Sequence, residues 1–145
     1  MNKVEDILAT KGYKTISVSP DTTVLDALKL MADKNIGSVV VIDSNNDYKG
    51  IVSERDYSRK IVLRGKSSSD TQVKDIMTSD FPKVALYDTV DYCMQLMTDN
   101  FIRYLPVFSG EELKGIISIG DVVKATILQQ QETIEHLDHY IHSPR

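Results

Sequence analysis

Two serines are each followed three residues later by an aspartate, where an apolar run gives way to a helical pattern. The segments are Ser-Glu-Arg-Asp at 53–56 and Ser-Ile-Gly-Asp at 118–121. A helix that begins at the serine offers free backbone N–H groups and partial positive charge, which suit a phosphate. A carboxylate one turn further on can accept two hydrogen bonds from a ribose diol. Arg55 and Arg103 can add forked donors to phosphate oxygens.

The same Ser-x-x-Asp spacing is also that of a capping box, in which serine and acid satisfy each other's backbone N–H groups. The two interpretations differ in what loss of the motif would change. A pure cap replaced by alanine costs about 1 kcal/mol of stability, whereas loss of a ribose contact lowers affinity. One copy alone favours the cap, two copies in register favour ligand contact, and both roles can coexist.

Glycine and cysteine patterns do not indicate an enzyme. Gly-Lys-Ser at 65–67 has the ending of a phosphate-binding loop, but Lys60 stands where that loop needs its first glycine. Cys93 aligns with Ala27 on the buried face of a predicted helix, so we predict a small core residue and no nucleophile. We therefore predict no catalysis and no required cofactor.

Three histidines near the C-terminus fall three residues apart on a predicted helix: His136, His139 and His142. Neighbours at this spacing can share a metal, but the first and third diverge around the helix axis. We predict a solvated helix end and no metal site.

The composition is that of an ordinary globular protein. The 145 residues are 41% hydrophobic and carry a formal net charge of -4, which favours a core and argues against a chain-wide nucleic-acid surface. No apolar run approaches the roughly 20 residues that span a bilayer, and the N-terminus lacks a signal pattern. We predict a cytoplasmic protein without nucleic-acid or membrane partners.

Most of the chain is duplicated. Gly-Ile-Val-Ser-x-x-Asp from residue 50 matches Gly-Ile-Ile-Ser-x-x-Asp from residue 115, and the upstream Thr-Val at 23–24 matches Thr-Val at 89–90. Matched residues are 65 positions apart in the first pair of segments and 66 apart in the second. One residue is therefore missing from the turn between the second and third strands of the second repeat. Each half reads as strand–helix–strand–strand–helix, which predicts an α+β fold.

A long helix is predicted in the last stretch of the chain, from Asp121 to Ile141. Its apolar residues form an intermittent stripe interrupted by three glutamines at 129–131. The stripe can dock on the domain or on a second subunit.

Several segments together resemble a pair of CBS (cystathionine β-synthase) domains, or Bateman module. They are the two Gly-apolar-apolar-Ser-x-x-Asp motifs, the strands Gly-Ser-Val-Val-Val at 37–41 and Arg-Tyr-Leu-Pro-Val at 103–107, and Val-Lys-Asp-Ile-Met-Thr at 73–78. The resemblance covers roughly Gly12 to Leu128. It implies two β-α-β-β-α repeats packed with pseudo-two-fold symmetry, and a homodimer.

The resemblance suggests the following division of the chain. An N-terminal segment covers 1–11, the first CBS domain 12–66, a linker 67–74, the second CBS domain 75–130, and a helix end with tail 131–145.

CBS pairs commonly bind adenosyl ligands in two clefts between the repeats, and the resemblance implies a lining for each. One cleft would have Thr15, Ile16, Gly37, Ser38 and Val39 with Ser118 and Asp121. The other would have Asp80, Phe81, Pro82, Arg103, Tyr104, Leu105 and Pro106 with Ser53, Arg55 and Asp56. The second collects both arginines, so we expect it to tolerate more phosphate charge.

The function that the resemblance implies is a non-catalytic, energy-sensing regulatory module. It would bind AMP, ADP or ATP, or else S-adenosylmethionine or an NAD-type ligand, and signal to a regulated protein that the sequence does not name. The alternative is a dimerising adaptor whose nucleotide clefts are vestigial.

Overall fold

The computed structural model describes residues 2–142 and confirms an α+β chain. The chain divides into two compact units. The first-repeat unit is Thr15–Phe81, and the second-repeat unit comprises the residues up to Lys14 together with those from Pro82 onward. Each unit contains one three-stranded sheet.

The regular elements follow in chain order. Their bounds are α1 Val4–Lys11, β1 Ser17–Val18, α2 Val24–Lys34, β2 Ser38–Ile42, β3 Tyr48–Ser53, α3 Glu54–Tyr57, a π-helical turn Ser58–Val62, a 3₁₀ turn Val73–Asp75, β4 Val84–Ala85, α4 Val90–Asn100, β5 Tyr104–Ser109, β6 Glu112–Ser118 and α5 Ile119–His142.

The two sheets share one topology, which confirms the predicted repeat. In each, the middle strand pairs with the first in parallel and with the third antiparallel. The β2–β3 hairpin is closed by residues 43–47 and the β5–β6 hairpin by residues 110–111. Both hairpins carry a register shift near the end of the middle strand. The predicted one-residue difference between the repeats therefore lies in the hairpin between the second and third strands.

A threonine side chain caps the N-terminus of the first helix of each repeat. The Thr23 hydroxyl accepts a hydrogen bond from the backbone N–H of Asp26, and the Thr89 hydroxyl accepts one from Tyr92. Each threonine thereby satisfies one N–H group of the first helical turn, which is N-capping. The apolar face of each helix packs against its own sheet.

Each unit has its own cluster of buried apolar side chains. The first-repeat core combines α2 with β2, β3 and the 3₁₀ turn, through residues such as Met31, Val41 and Val73. The second-repeat core combines α4 with β5, β6 and the start of α5. It also takes Val4, Ile7 and Leu8 from α1, so the N-terminal helix is part of this core.

Cys93 is fully buried in the second-repeat core, which confirms its prediction as a core residue. Burial raises the pKa of its thiol to about 12, and the nearby Asp88 carboxylate acts in the same direction. The thiol is therefore protonated at neutral pH and is a poor nucleophile.

Candidate functional site

The first Ser-x-x-Asp motif lies where β3 becomes α3. The backbone N–H of Asp56 donates to Ser53 Oγ at 3.2 Å, and the backbone N–H of Ser53 donates to Asp56 Oδ2 at 2.9 Å. The Ser53 hydroxyl also donates to Oδ2, at 3.1 Å. The predicted capping box is therefore present.

Asp56 has further partners on its other oxygen. Its Oδ1 accepts a hydrogen bond from Thr78 Oγ1 at 3.2 Å and lies 3.0 Å from Lys60 Nζ. Lys60 itself donates to the carbonyl of Ile76 at 2.7 Å. The Asp56 side chain is only 9% exposed. Both carboxylate oxygens are thus engaged inside the first-repeat unit.

The second motif lies where β6 becomes α5 and repeats the same local geometry. The backbone N–H of Ser118 donates to Asp121 Oδ2 at 2.8 Å, and that of Asp121 donates to Ser118 Oγ at 3.2 Å. The Asp121 side chain is 24% exposed, well above that of Asp56. The capping interpretation is confirmed for both motifs, and ligand contact stays a prediction.

A lysine near the N-terminus forms an ion pair with Asp121. Lys11, the last residue of α1, places Nζ 2.6 Å from Asp121 Oδ2 and 2.9 Å from the carbonyl oxygen of Ile116. The core contacts of Val4, Ile7 and Leu8 hold α1 in this position. Asp121 therefore differs from Asp56, because its cation lies 110 residues away along the chain and that of Asp56 only four.

The motifs considered above do not indicate Lys11, although the sequence contains a signal for α1. Val-Glu-Asp-Ile-Leu at 4–8 repeats as Val-Lys-Asp-Ile-Met at 73–77. Val73 and Ile76 are buried in the first-repeat core, as Val4 and Ile7 are in the second-repeat core. The repeat thus begins earlier than the matches we used. Nothing in this pattern identifies Lys11 itself as the partner of Asp121.

The pKa of Asp121 reflects two opposing influences. Burial alone would raise it, but the hydrogen bond from Lys11 and that from the Ser118 backbone outweigh burial and lower the pKa below its usual value of 3.8. The carboxylate is therefore ionised at neutral pH and available as an acceptor.

We expect this pair to make stability depend on pH in acid. Because the folded-state pKa is lowered, ionised Asp121 contributes its full stabilisation above about pH 4, and the contribution is lost as pH falls through the lowered pKa. Urea unfolding of wild type and Asp121→Asn should show a free-energy difference that is constant from pH 7 to about pH 4 and shrinks below it. Asp91→Asn, an exposed change on α4, is the control. A difference that grows on acidification would contradict the assignment.

The backbone N–H groups at the start of α3 and α5 are partly used. The Glu54 N–H donates to the Gly37 carbonyl at 3.1 Å, and the Ile119 N–H donates to the Arg103 carbonyl at 2.8 Å. The third N–H of each helix is taken by its serine cap. Phosphate binding at these helix ends therefore has fewer free donors than the sequence suggested.

The other predicted lining residues divide between the units. The first-repeat unit holds Thr15, Ile16, Gly37, Ser38, Val39, Ser53, Arg55, Asp56, Asp80 and Phe81, and the second-repeat unit holds Pro82, Arg103, Tyr104, Leu105, Pro106, Ser118 and Asp121. The side chains of Val39 and Leu105 are buried in their own cores. These two residues could therefore meet a ligand only through backbone atoms. Ligand contact stays a prediction for the whole set.

The histidine cluster shows one local contact, His142 Nε2 at 3.3 Å from Asp138 Oδ1. Between residues 2 and 142, no three His, Cys, Asp or Glu side chains are grouped closely enough to hold a metal ion. Over the same residues, no helix is long and apolar enough to cross a bilayer.

The repeated sheet topology and paired Ser-x-x-Asp junctions agree with a comparison against known families. The profile of the CBS domain matches residues 4–63 and 73–127. The chain belongs to the CBS-domain family. The first match begins at Val4 and so includes α1. CBS domains are in general regulatory ligand-binding modules.

Several CBS-domain proteins resemble this chain over most of its length. The mitochondrial CBS domain-containing protein CBSX3 of Arabidopsis thaliana is 38% identical over 95% of this chain and 71% of its own. A structure of a CBS-domain protein from Burkholderia ambifaria is 43% identical, with a TM-score of 0.83, and covers 90% of this chain and 96% of its own. The hexameric CBS-CP12 protein of bloom-forming cyanobacteria is 29% identical with a TM-score of 0.72, over 83% and 69% of the respective chains.

Proposed function

We propose that this CBS-domain pair is a non-catalytic regulatory module that binds an adenosine-containing ligand, with Asp121 holding the ribose. The observation that carries this proposal is the state of the Asp121 carboxylate. Its Oδ2 is held by the Ser118 backbone and by Lys11, while the side chain remains 24% exposed. A carboxylate that is ionised, oriented and partly exposed is suited to accept hydrogen bonds from a ribose diol.

Asp56 is less available for this task. A ribose at Asp56 would have to displace Thr78 or Lys60 from a side chain that is only 9% exposed. Such displacement leaves buried polar groups without partners, which is costly. We therefore assign the ligand first to Asp121. Greater tolerance of phosphate charge near Asp56, through Arg55 and Arg103, stays a prediction.

Lys11 supplies charge for a phosphate beside Asp121. Since the first and third N–H groups of α5 are already bonded, an ammonium group within reach is the stronger donor. A ribose that takes over Asp121 Oδ2 would release Lys11 toward the phosphate. AMP, ADP and ATP are accordingly the first ligands to examine, followed by S-adenosylmethionine and NADH.

The test is a thermal-shift and calorimetric screen of the full chain against these five ligands and adenosine. A ligand present at a hundredfold excess over its dissociation constant should stabilise the native state by about 2.7 kcal/mol. Asp121→Asn should abolish the shift, because the near-isosteric amide can still cap Ser118 but carries no charge. Lys11→Met should weaken the binding of AMP more than the binding of adenosine.

Asp91→Asn, on the exposed side of α4, is the matched control and should bind as wild type does. A ligand shift that survives Asp121→Asn but is lost in Asp56→Asn would move the site to the other repeat. Absence of any shift would contradict the proposal and favour the alternative, a dimerising adaptor. The exposed apolar residues of α5 are the observation that favours that alternative.

Regulation further requires that the ligand bind two states of the module unequally. We propose that the output is a changed affinity for a regulated protein or a changed association state. The cytoplasmic location stays a prediction, and the Arabidopsis relative is a mitochondrial protein by name.

A further inference from the structure

The last turn of α1 is fastened to the second-repeat unit by a single side chain. The apolar side chains of α1 up to Leu8 are buried, whereas residues 9–14 are all exposed. Among the described residues, the hydrogen bonds that tie this exposed stretch to β6 and α5 are both made by Lys11, to the carbonyl oxygen of Ile116 and to Asp121. The position of the end of α1 therefore depends on whether Lys11 keeps these partners.

Lys11 occupies an oxygen that a bound ribose would use. Asp121 Oδ2 accepts two hydrogen bonds, from the Ser118 backbone N–H at 2.8 Å and from Lys11 Nζ at 2.6 Å. Each carboxylate oxygen has two lone pairs, so a ribose diol that binds both oxygens of Asp121 must displace one of these donors. The Ser118 N–H is fixed by the backbone of β6, whereas the Lys11 side chain is 37% exposed and flexible. The ribose would therefore displace Lys11.

A ligand that carries a phosphate can give the displaced Lys11 a new partner. The flexible stem of a lysine lets its ammonium group turn from one anion to a neighbouring anion while the backbone stays in place. Adenosine offers no such anion, whereas AMP does. The end of α1 would therefore be released by a nucleoside and held again by a nucleotide.

We propose that Lys11 is a latch through which α1 reads the phosphate of the bound ligand. A ribose without a phosphate displaces Lys11 from Asp121 and releases residues 9–14. A nucleotide also displaces Lys11, but its phosphate binds the ammonium group and keeps this stretch ordered. The inference rests on the function proposed above and adds the chain segment that responds to the ligand.

The stretch that the latch controls leads directly into the first-repeat unit. Gly12 follows α1 with φ +101°, a conformation that favours glycine, and its N–H donates to the Leu8 carbonyl at 2.7 Å. The chain leaves the second-repeat unit at Lys14 and enters the first-repeat unit at Thr15. A change in the order of residues 9–14 is therefore a change in a covalent connection between the two units.

The cation beside Asp56 cannot act in this way. Lys60 lies only four residues after Asp56 and also donates to the carbonyl of Ile76. Its backbone is part of the π-helical turn, whose Ile61 is buried in the first-repeat core. Displacement of Lys60 would therefore release no separate segment, and we assign the latch to the second repeat alone.

Amide hydrogen exchange of the full chain tests the latch, with adenosine or AMP at concentrations that saturate binding in calorimetry. Adenosine should raise the exchange rate of the amides of residues 9–12 by about fivefold, because loss of a partly exposed ion pair favours local opening. AMP should leave these amides at their ligand-free rate. Both ligands should slow the exchange of the amides at the start of α5.

Two lysine variants separate the latch from a general effect of charge. Lys11→Met should exchange rapidly over residues 9–12 without ligand, and neither adenosine nor AMP should change that rate. Lys14→Met makes the same substitution at an exposed lysine just beyond α1 and should behave as wild type does. Slow exchange over residues 9–12 in ligand-free Lys11→Met would overturn the role of Lys11.

The ligand arms of the experiment distinguish the latch from the function on which it rests. Binding of adenosine without a change over residues 9–12 would overturn the latch and leave the proposed function intact. An equal rise with AMP and adenosine would overturn the reading of the phosphate. Absence of binding by both would overturn the latch, and the proposed function falls with it only if the other adenosyl ligands also fail to bind.

Discussion

Replacement of Asp56 by alanine should destabilise the protein by about 3 kcal/mol, because buried hydrogen-bond donors and the partly exposed Lys60 would lose their charged acceptor. The change removes acceptors for the Ser53 backbone, the Ser53 hydroxyl, Thr78 and Lys60. The Ser53 N–H would then be buried without its partner, and Lys60 would lose its counter-ion. Chemical denaturation with urea measures the difference directly.

Asp121→Ala is the matched control for this prediction, because it removes the same residue from the same capping box. Its side chain is more exposed and Lys11 can turn to water, so we expect a loss nearer to about 1 kcal/mol. Equal losses at the two sites would contradict the view that Asp56 is primarily structural. The pair of variants therefore measures how far the structural role of the repeated motif differs between the two repeats.

Replacement of Gly50 by alanine should also destabilise the protein by about 3 kcal/mol, for a steric reason. A Cβ at this position would lie 2.6 Å from the carbonyl oxygen of Thr78 and 3.3 Å from the Cα of Ser79. The clash is with backbone, and that backbone is held because Ile51 and Thr78 exchange two hydrogen bonds at 2.9 Å. Relief of the clash would require breaking this bridge, which places the loss at the upper end of the usual cost of overpacking.

The equivalent glycine of the second repeat supplies the comparison. A Cβ on Gly115 would meet Leu8 Cδ2 at 3.0 Å, the end of a side chain that can shift. We expect Gly115→Ala to cost about 1 kcal/mol. Thermal unfolding of both variants shows which of them loses more stability. A larger loss of stability for Gly115→Ala would show that α1 is held more rigidly than the segment around Thr78.

These expectations share one structural cause, which is that the same motif has different neighbours in the two repeats. Gly50 and Asp56 both contact Thr78, whereas Gly115 and Asp121 contact α1 through Leu8 and Lys11. A motif that is packed tightly in one unit and remains accessible in the other suits a module with one structural copy and one binding copy. On the function proposed above, Asp56→Ala should lose stability and Asp121→Asn should lose ligand binding.

The sequence by itself determined the features that depend on near neighbours along the chain. Helix faces such as Val24, Ala27 and Met31, the buried strands, and both capping boxes involve residues within a few positions of one another. Their periodicity and spacing follow from helix and strand geometry, so a duplicated pattern is readable before any folding is considered. The repeated α+β pattern followed from these local signals, and the CBS-domain fold followed from the resemblance that the motifs carry.

Only the tertiary structure decided which groups from distant segments meet. Lys11 and Asp121 are separated by 110 residues, and Thr78 reaches Asp56 and Gly50 from the connection between the repeats. Such contacts depend on where the core places α1 and the 3₁₀ turn, which no spacing rule along the chain encodes. The difference in exposure between Asp56 and Asp121 arises in the same way. It distinguishes two motifs of the same Ser-x-x-Asp spacing, because burial is a property of packing and not of the motif.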